Sequence, residues 1–139
     1  MSRVTGKRVL VVEDEPSISR VCVRTLTGDG FKVIVAEDGE IARGILDQEK
    51  YDLYLFDVRT PRMSGMELYQ YLQANYPELA NRVVFTTGDV WSESVETFLR
   101  NTNSLNLPKP FTPNELRQAV KKVMRRIENG QQTKDNSNR

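Results

Sequence analysis

Acidic residues follow two apolar segments of the chain, at the point where each segment gives way to polar sequence. Glu13 and Asp14 follow the run VLVV, and Asp57 follows the run LYLF. Apolar runs of this kind are typical of strands buried on both faces of a parallel sheet. Thr87 and Lys109 follow two further short apolar segments. Because the carboxyl ends of parallel strands meet at one edge, the sequence predicts that these five side chains converge there.

The residue types at this predicted edge suit phosphoryl transfer. Three carboxylates held together repel one another, and a hard divalent cation such as Mg²⁺, bound by oxygen ligands, relieves that repulsion. Lys109 adds a positive charge for an anion, and Thr87 adds a hydroxyl donor. Asp57 is then the candidate nucleophile, which would form an aspartyl phosphate. The chain has no histidine, so a partner or small molecule must supply the phosphoryl group.

Five short apolar segments alternate with five helical patterns along the chain. This alternation predicts an α/β fold, a doubly wound five-stranded parallel sheet with helices on both faces and right-handed crossovers. We expect one domain over residues 1–128 and a polar, disordered tail over 129–139. The positions expected on the inner face of the second helix are Ile41, Ala42, Ile45 and Leu46.

Helix starts are marked by capping residues. Asp38 can cap the second helix, and the pairs Ser64–Glu67 and Thr112–Glu115 have the spacing of capping boxes.

Composition narrows the function classes. A net charge of +1 over 139 residues argues against a nucleic-acid partner. No apolar run approaches the roughly 20 residues that span a membrane, and the N-terminus lacks a secretory signal. The one cysteine, Cys22, excludes an internal disulfide and suits a reducing compartment. We therefore expect a cytoplasmic protein.

Four motifs together carry a resemblance to a known family: LVVEDEP, FDVRTPRMSGMEL, TTGD and LPKPF. Over about residues 7 to 128 the chain resembles the receiver domain of two-component response regulators. The resemblance implies the flavodoxin-like (βα)5 receiver fold, with strand order 2-1-3-4-5. The wording TTGD…LPKPF is similar to receivers attached to hybrid histidine kinases, which favours a phosphorelay role.

The resemblance also implies roles for individual residues. Asp57 would be the phospho-accepting aspartate. Glu13 and Asp14 would hold Mg²⁺ with Asp57 and the backbone carbonyl of Arg59. Thr87, rather than its neighbour Thr86, would be the switch hydroxyl. Lys109 would contact the phosphoryl group, and the bond between Lys109 and Pro110 would be cis.

Three positions depart from the usual pattern of this family. Asn106 stands where Tyr or Phe is usual, so the inward swing of an aromatic ring is not available unchanged. Glu13 replaces the commoner Asp and reaches the metal directly or through water. Arg59 and Asp89 occupy positions that tune dephosphorylation, and we hypothesise that they pair across the site and restrict attacking water.

The function that these features predict is a phosphorylation-dependent switch, not a turnover enzyme. The phosphodonor would be a histidine kinase or a histidine phosphotransfer protein. The target would be a protein that binds the face formed by the fourth helix, fifth strand and fifth helix.

Two alternative functions remain open at this point. One is a Mg²⁺-dependent phosphatase of the haloacid-dehalogenase type, which would need a second acid where Arg59 stands. The other is a degenerate receiver that acts only as a binding module. A nucleotide-hydrolysing enzyme fits poorly, because no glycine-rich phosphate loop is present.

Overall fold

The computed structural model describes residues 6–88 and 92–137, and side chains as far as residue 130. Strands and helices alternate along it. The five strands are β1 (Arg8–Val12), β2 (Lys32–Ala36), β3 (Leu53–Asp57), β4 (Val83–Thr87) and β5 (Leu105–Pro108). The helices are α1 (Pro16–Gly28), α2 (Gly39–Gln48), α3 (Gly65–Asn75), α4 (Glu93–Thr102) and α5 (Pro113–Ser137), with a 3-10 helix at Pro77–Arg82.

The strands form one parallel sheet in the order β2-β1-β3-β4-β5. The predicted fold class and strand order are confirmed. Val12, the last residue of β1, is in register with Ala36 of β2 and Phe56 of β3. The strands therefore end nearly level, and the residues that follow them share one edge.

Side chains of each strand alternate between the two faces of the sheet and enter two separate core layers. In one layer Leu10, Tyr54 and Phe85 pack with residues of α2, α3 and α4. In the other, Val11 and Leu55 pack with residues of α1 and α5. All five residues of β3 are buried, so Asp57 stands at the end of a fully buried strand.

The predicted helix caps are confirmed. Asp38 Oδ1 accepts a hydrogen bond from the Ile41 backbone N–H at 2.9 Å. Ser64 and Glu67 form a reciprocal capping box, and so do Thr112 and Glu115.

The predicted inner face of α2 is wrong at one position. Ala42 and Leu46 are buried and Ile45 packs partly against the core, but Ile41 is 46% exposed. The apolar stripe of α2 is therefore wider than the surface on which the helix packs.

Two helical segments differ from the pattern that the sequence predicts. A 3-10 helix, which the five-helix pattern does not include, begins at Pro77. The last helix continues through Ser137, past the predicted end of the domain at 128, and that boundary stays a prediction. In the part of the chain that the structure describes, no helix has both the length and the hydropathy to cross a membrane.

Candidate functional site

Four strand ends bring polar residues to the carboxyl edge of the sheet. Glu13 and Asp14 directly follow β1, Asp57 ends β3, Thr87 ends β4, and Lys109 directly follows β5. The sheet is parallel throughout, so all five residues lie at the same edge, as their order in the sequence predicted.

Lys109 lies between two of the acids. Its Nζ is 2.8 Å from Oε1 of Glu13 and 2.9 Å from Oδ2 of Asp57. The side chain of Lys109 is only 12% exposed, that of Glu13 2% and that of Asp57 7%. Removing one partner of such a buried group would leave an uncompensated charge. The ammonium therefore holds the two carboxylates together.

Burial and neighbouring charges shift the pKa values of Glu13 and Lys109. Burial, with a smaller contribution from the Asp57 charge, raises the pKa of Glu13 to about 6, against the opposing effect of Lys109. Burial alone would lower the pKa of Lys109, but the adjacent carboxylates of Glu13 and Asp57 outweigh it and raise the pKa. Lys109 therefore stays charged at neutral pH.

The acidic cluster fits a hard divalent cation. Glu13, Asp14 and Asp57 each offer a carboxylate oxygen, and the three oxygens lie within 4.8 Å of one another. Glu13 Oε1 is buried and makes no hydrogen bond; its contact with Lys109 is an ion pair without hydrogen-bond geometry. The Lys109 ammonium pairs with two of these three carboxylates, so within this cluster the carboxylates outnumber the ammonium. Oxygen ligands and excess negative charge are what Mg²⁺ or Ca²⁺ requires.

The backbone behind Asp57 is tightly packed. The Arg59 backbone N–H donates to Asp57 Oδ1 at 3.2 Å, which fixes the carboxylate from the loop side. A Cβ at Gly65 would lie 2.1 Å from the Asp57 carbonyl oxygen, so only glycine allows α3 to begin there. The close approach at Gly65 has no signal in a single sequence.

Thr87 and Lys109 are linked through the backbone. The Lys109 N–H donates to the Thr87 carbonyl oxygen at 2.8 Å, and Thr87 is 1% exposed. The bond between Lys109 and Pro110 is cis, as the resemblance implied. A displacement at the end of β4 would therefore be transmitted directly to the lysine.

Three predictions about neighbouring residues have different outcomes. Asn106 is exposed on β5, in register with Phe85 of β4. The role of the Arg59 carbonyl as a metal ligand stays a prediction. Asp89 lies outside the described residues, and so does the hypothesis that it pairs with Arg59.

A doubly wound 2-1-3-4-5 sheet with a lysine-bridged acidic cluster at its carboxyl edge defines a class of α/β domains. The family model of the response regulator receiver domain matches residues 9–121. The chain belongs to this family, whose members act as signalling switches in two-component systems.

Relatives and solved structures agree with this assignment. The chain is 33% identical over 126 residues to the alkaline phosphatase synthesis transcriptional regulatory protein PhoP of Bacillus subtilis, covering 88% of this chain and 50% of that protein. The chain spans about half the length of the curated relatives it matches.

Two solved receiver domains share the fold. The CheY-like protein of Methanospirillum hungatei has 25% identity and a TM-score of 0.80, covering 91% of this chain and 99% of that one. The receiver domain of the sensor histidine kinase PA1611 of Pseudomonas aeruginosa has 26% identity and a TM-score of 0.75, covering 86% and 98%. That structure was solved with a magnesium ion coordinated in its active site cleft. Neither a dehalogenase-type phosphatase nor a degenerate binding module is favoured by these matches.

Proposed function

We propose that Asp57 accepts a phosphoryl group from the phosphohistidine of a partner histidine kinase or histidine phosphotransfer protein, in a Mg²⁺-dependent step. The observation that carries this proposal is the position of Lys109. Its ammonium lies 2.8 Å from Glu13 and 2.9 Å from Asp57, beside a third acid, Asp14. A buried cation next to a carboxylate nucleophile suits the approach of an anionic donor.

An oxygen of the Asp57 carboxylate attacks the phosphorus atom, and the new O–P bond forms as the N–P bond of the phosphohistidine breaks. The electron pair of that bond stays on the imidazole nitrogen, which then takes a proton from solvent. Since this chain has no histidine, the donor is a separate molecule.

The ligands proposed for Mg²⁺ are the side chains of Glu13, Asp14 and Asp57, with the backbone carbonyl of Arg59. When bound, the ion supplies positive charge against the phosphoryl oxygens, where most catalysis of phosphoryl transfer is charge stabilisation and positioning. The magnesium ion in the PA1611 receiver domain supports this assignment. Lys109 pairs with the phosphoryl group after transfer, because its ammonium is already held beside Asp57.

Thr87 is proposed to donate its hydroxyl to a phosphoryl oxygen and so to report phosphorylation. The backbone hydrogen bond from Lys109 to Thr87 couples the ends of β4 and β5. Movement there would change the face formed by α4, β5 and α5, which we propose as the partner surface. Asn106 lies on this face and is exposed; it has no ring to move inward. The product is a signalling state, so we propose a switch rather than a turnover enzyme.

A phosphorylation assay tests the assignment of Asp57. The protein is incubated with phosphoramidate, which has an N–P bond, and with Mg²⁺, and its intact mass is measured. We expect the wild type to gain one phosphoryl group, Asp57→Asn to gain none, and EDTA to suppress the reaction. Asp52→Asn, at the opposite end of β3, is the matched control and should react like the wild type.

Two outcomes would contradict the proposal. Modification of Asp57→Asn at the wild-type level would exclude Asp57 as the acceptor. Sustained multiple turnover of p-nitrophenyl phosphate by the wild type would instead favour a phosphatase.

A further inference from the structure

The loop that follows Asp57 lies against the start of α2. We call residues 58–64 the acceptor loop. The Gly39 backbone N–H donates to the Pro61 carbonyl oxygen at 3.3 Å. Asp38, whose Oδ1 caps α2, has its Oδ2 3.8 Å from Nε of Arg62. The acceptor loop is therefore held by contacts with the start of α2, in addition to its covalent connections to β3 and α3.

Gly39 is the closest point of this contact. A Cβ built on Gly39 would lie 1.9 Å from the carbonyl oxygen of Met63 and 2.6 Å from its Cβ. The obstructing oxygen belongs to the backbone, so it cannot move aside as the end of a flexible side chain can. Any larger residue at this position must displace Met63 or the start of α2.

The acceptor loop has little freedom to absorb such a displacement. The Thr60 hydroxyl donates to the Met63 carbonyl oxygen at 2.5 Å, the same atom that lies against Gly39. The Gly65 N–H donates to the Val58 carbonyl oxygen at 3.0 Å, which closes the loop at its base. Movement of Met63 would therefore disturb Thr60 and its neighbour Arg59, whose N–H holds the Asp57 carboxylate.

We propose that Gly39 is a positioning residue for the phosphorylation site: its missing side chain lets α2 hold the acceptor loop, and thereby Arg59 and Asp57, in place for Mg²⁺. This inference rests on the proposed function. It adds a residue from α2, which contributes no side chain to the acidic cluster. Its contribution is to the geometry of the proposed ligands, as expected of groups that orient a metal site from behind.

The test compares two glycines of the same helix. Gly39→Ala introduces the clash, whereas Gly44→Ala adds a methyl group with nothing within 4 Å of it. Both changes replace glycine by the best helix former, so the helix itself should not be weakened. We expect Gly39→Ala to weaken Mg²⁺ binding, measured by calorimetry, about tenfold, and Gly44→Ala to leave it unchanged.

Phosphorylation kinetics, together with a measurement of folding without Mg²⁺, distinguish positioning from loss of folded protein. In Gly39→Ala the Mg²⁺ concentration for half-maximal phosphorylation by phosphoramidate should rise with the dissociation constant. The rate at saturating Mg²⁺ should return close to the wild-type rate. A circular dichroism spectrum of Gly39→Ala in EDTA is the control, because unfolded chains alone would also raise the half-maximal Mg²⁺ concentration: a variant that is fully folded without Mg²⁺ and still binds it weakly has lost positioning.

Thr60→Val provides a second route if Gly39→Ala does not fold. Valine keeps the shape of threonine but removes the hydroxyl that holds the Met63 carbonyl, so we expect a smaller loss of Mg²⁺ affinity in the same direction. Hydrogen exchange on the metal-free protein gives an independent readout: the Met63 and Gly65 amides should exchange faster in Gly39→Ala than in Gly44→Ala.

Equal Mg²⁺ affinity and equal loop exchange in Gly39→Ala and Gly44→Ala would overturn this inference while leaving the proposed function intact. If the wild type itself neither binds Mg²⁺ nor becomes phosphorylated, the proposed function fails. The exchange rates of the acceptor loop would then still decide whether Gly39 holds it.

Discussion

Charged side chains lie at both ends of the strands. They are buried at the carboxyl-terminal ends, the carboxyl edge, and more exposed at the amino-terminal ends, the amino edge. At the carboxyl edge, Lys109, Glu13 and Asp57 form contacts in which no side chain is more than 12% exposed. At the amino edge, Arg8 pairs with Glu49, and these side chains are 34% and 51% exposed. Exposed ion pairs contribute little to stability, whereas buried charges are costly unless they are fully paired.

The charge balance of the two edges differs as well. In the acidic cluster of the carboxyl edge, three carboxylates lie beside the ammonium of Lys109. At the amino edge the charged groups described below each have a partner. Arg8 contacts Glu49 and stacks 4.7 Å from the ring centroid of Tyr51, while Asp52 accepts the Arg8 N–H and its carbonyl accepts from Arg82. The charged groups of the amino edge thus have protein partners, whereas the three carboxylates of the acidic cluster also suit a bound cation.

The largest expected difference between the edges is the response to Mg²⁺. Wild-type protein should be stabilised by about 2.7 kcal/mol at a Mg²⁺ concentration one hundred times its dissociation constant. Asp14→Asn should lose most of this stabilisation, because Asp14 is a proposed Mg²⁺ ligand in the acidic cluster. Asp14 is exposed, so its replacement costs no packing and leaves the stability in EDTA unchanged.

Urea unfolding with Mg²⁺ or EDTA measures this difference. Asp52→Asn, at the amino edge, should keep the full stabilisation. The same response to Mg²⁺ in Asp14→Asn and wild type would show that the cation binds elsewhere.

The next largest effect is expected for Lys109→Met. Without the ammonium, Glu13 and Asp57 remain as neighbouring buried carboxylates, and we expect the free energy of unfolding in EDTA to fall by about 2 kcal/mol, below the range for fully buried pairs. Mg²⁺ should restore part of the loss, since it opposes the same repulsion. The matched change at the amino edge is Lys50→Met, whose pair with Glu78 is more than half exposed on both sides, and it should have no measurable effect. Equal losses in the two variants would remove the distinction between the edges.

The sequence predicted the carboxyl edge better than the amino edge, for a physical reason. Strand ends are visible as transitions from apolar to polar sequence, and the parallel sheet then determines that Glu13, Asp57 and Lys109 meet. No such rule pairs Arg8 with Glu49, which come from different elements and meet through side-chain packing alone.

Close backbone approaches were not predictable from one sequence. Gly39 and Gly44 look alike in the sequence of α2, yet only Gly39 lies against the Met63 carbonyl. The exposure of Ile41 was missed for a related reason, because periodicity shows which residues share a helix face but not how wide a surface covers it. The ion pair between Lys109 and Glu13 also depends on tertiary structure. The sequence does show Glu in place of the commoner Asp, and the extra methylene gives this side chain a longer reach.

The two edges should respond to pH in opposite directions. The pKa of Glu13 is raised from 4.5 to about 6, chiefly by burial. Its contribution to stability is therefore fully present below pH 4.5 and is lost as the pH rises through 6. The pKa of Glu49 is lowered by its hydrogen bond with Arg8, so its contribution is present above the ordinary pKa of 4.5 and is lost as the pH falls.

Unfolding measurements in EDTA compare wild type with Glu13→Gln and with Glu49→Gln. The stability of wild type relative to Glu13→Gln should decrease between pH 4.5 and 6. Relative to Glu49→Gln it should decrease as the pH falls below 4.5. Slopes of the same sign would mean that burial does not govern Glu13.

The smallest effect is expected at Arg8. Its guanidinium is exposed and contacts Glu49 and the Tyr51 ring, so Arg8→Met should cost much less stability than Lys109→Met, and added salt should reduce the difference from wild type further. Arg8→Lys keeps the charge but loses the planar contact with the ring, which separates the two contributions. Phosphorylation should be unchanged in both variants, because the amino edge lies at the opposite end of the strands from Asp57. A defect in phosphorylation would show that the two edges are coupled through β1 and β3. Arg8 begins β1, and its backbone N–H donates to Asp52, which directly precedes β3.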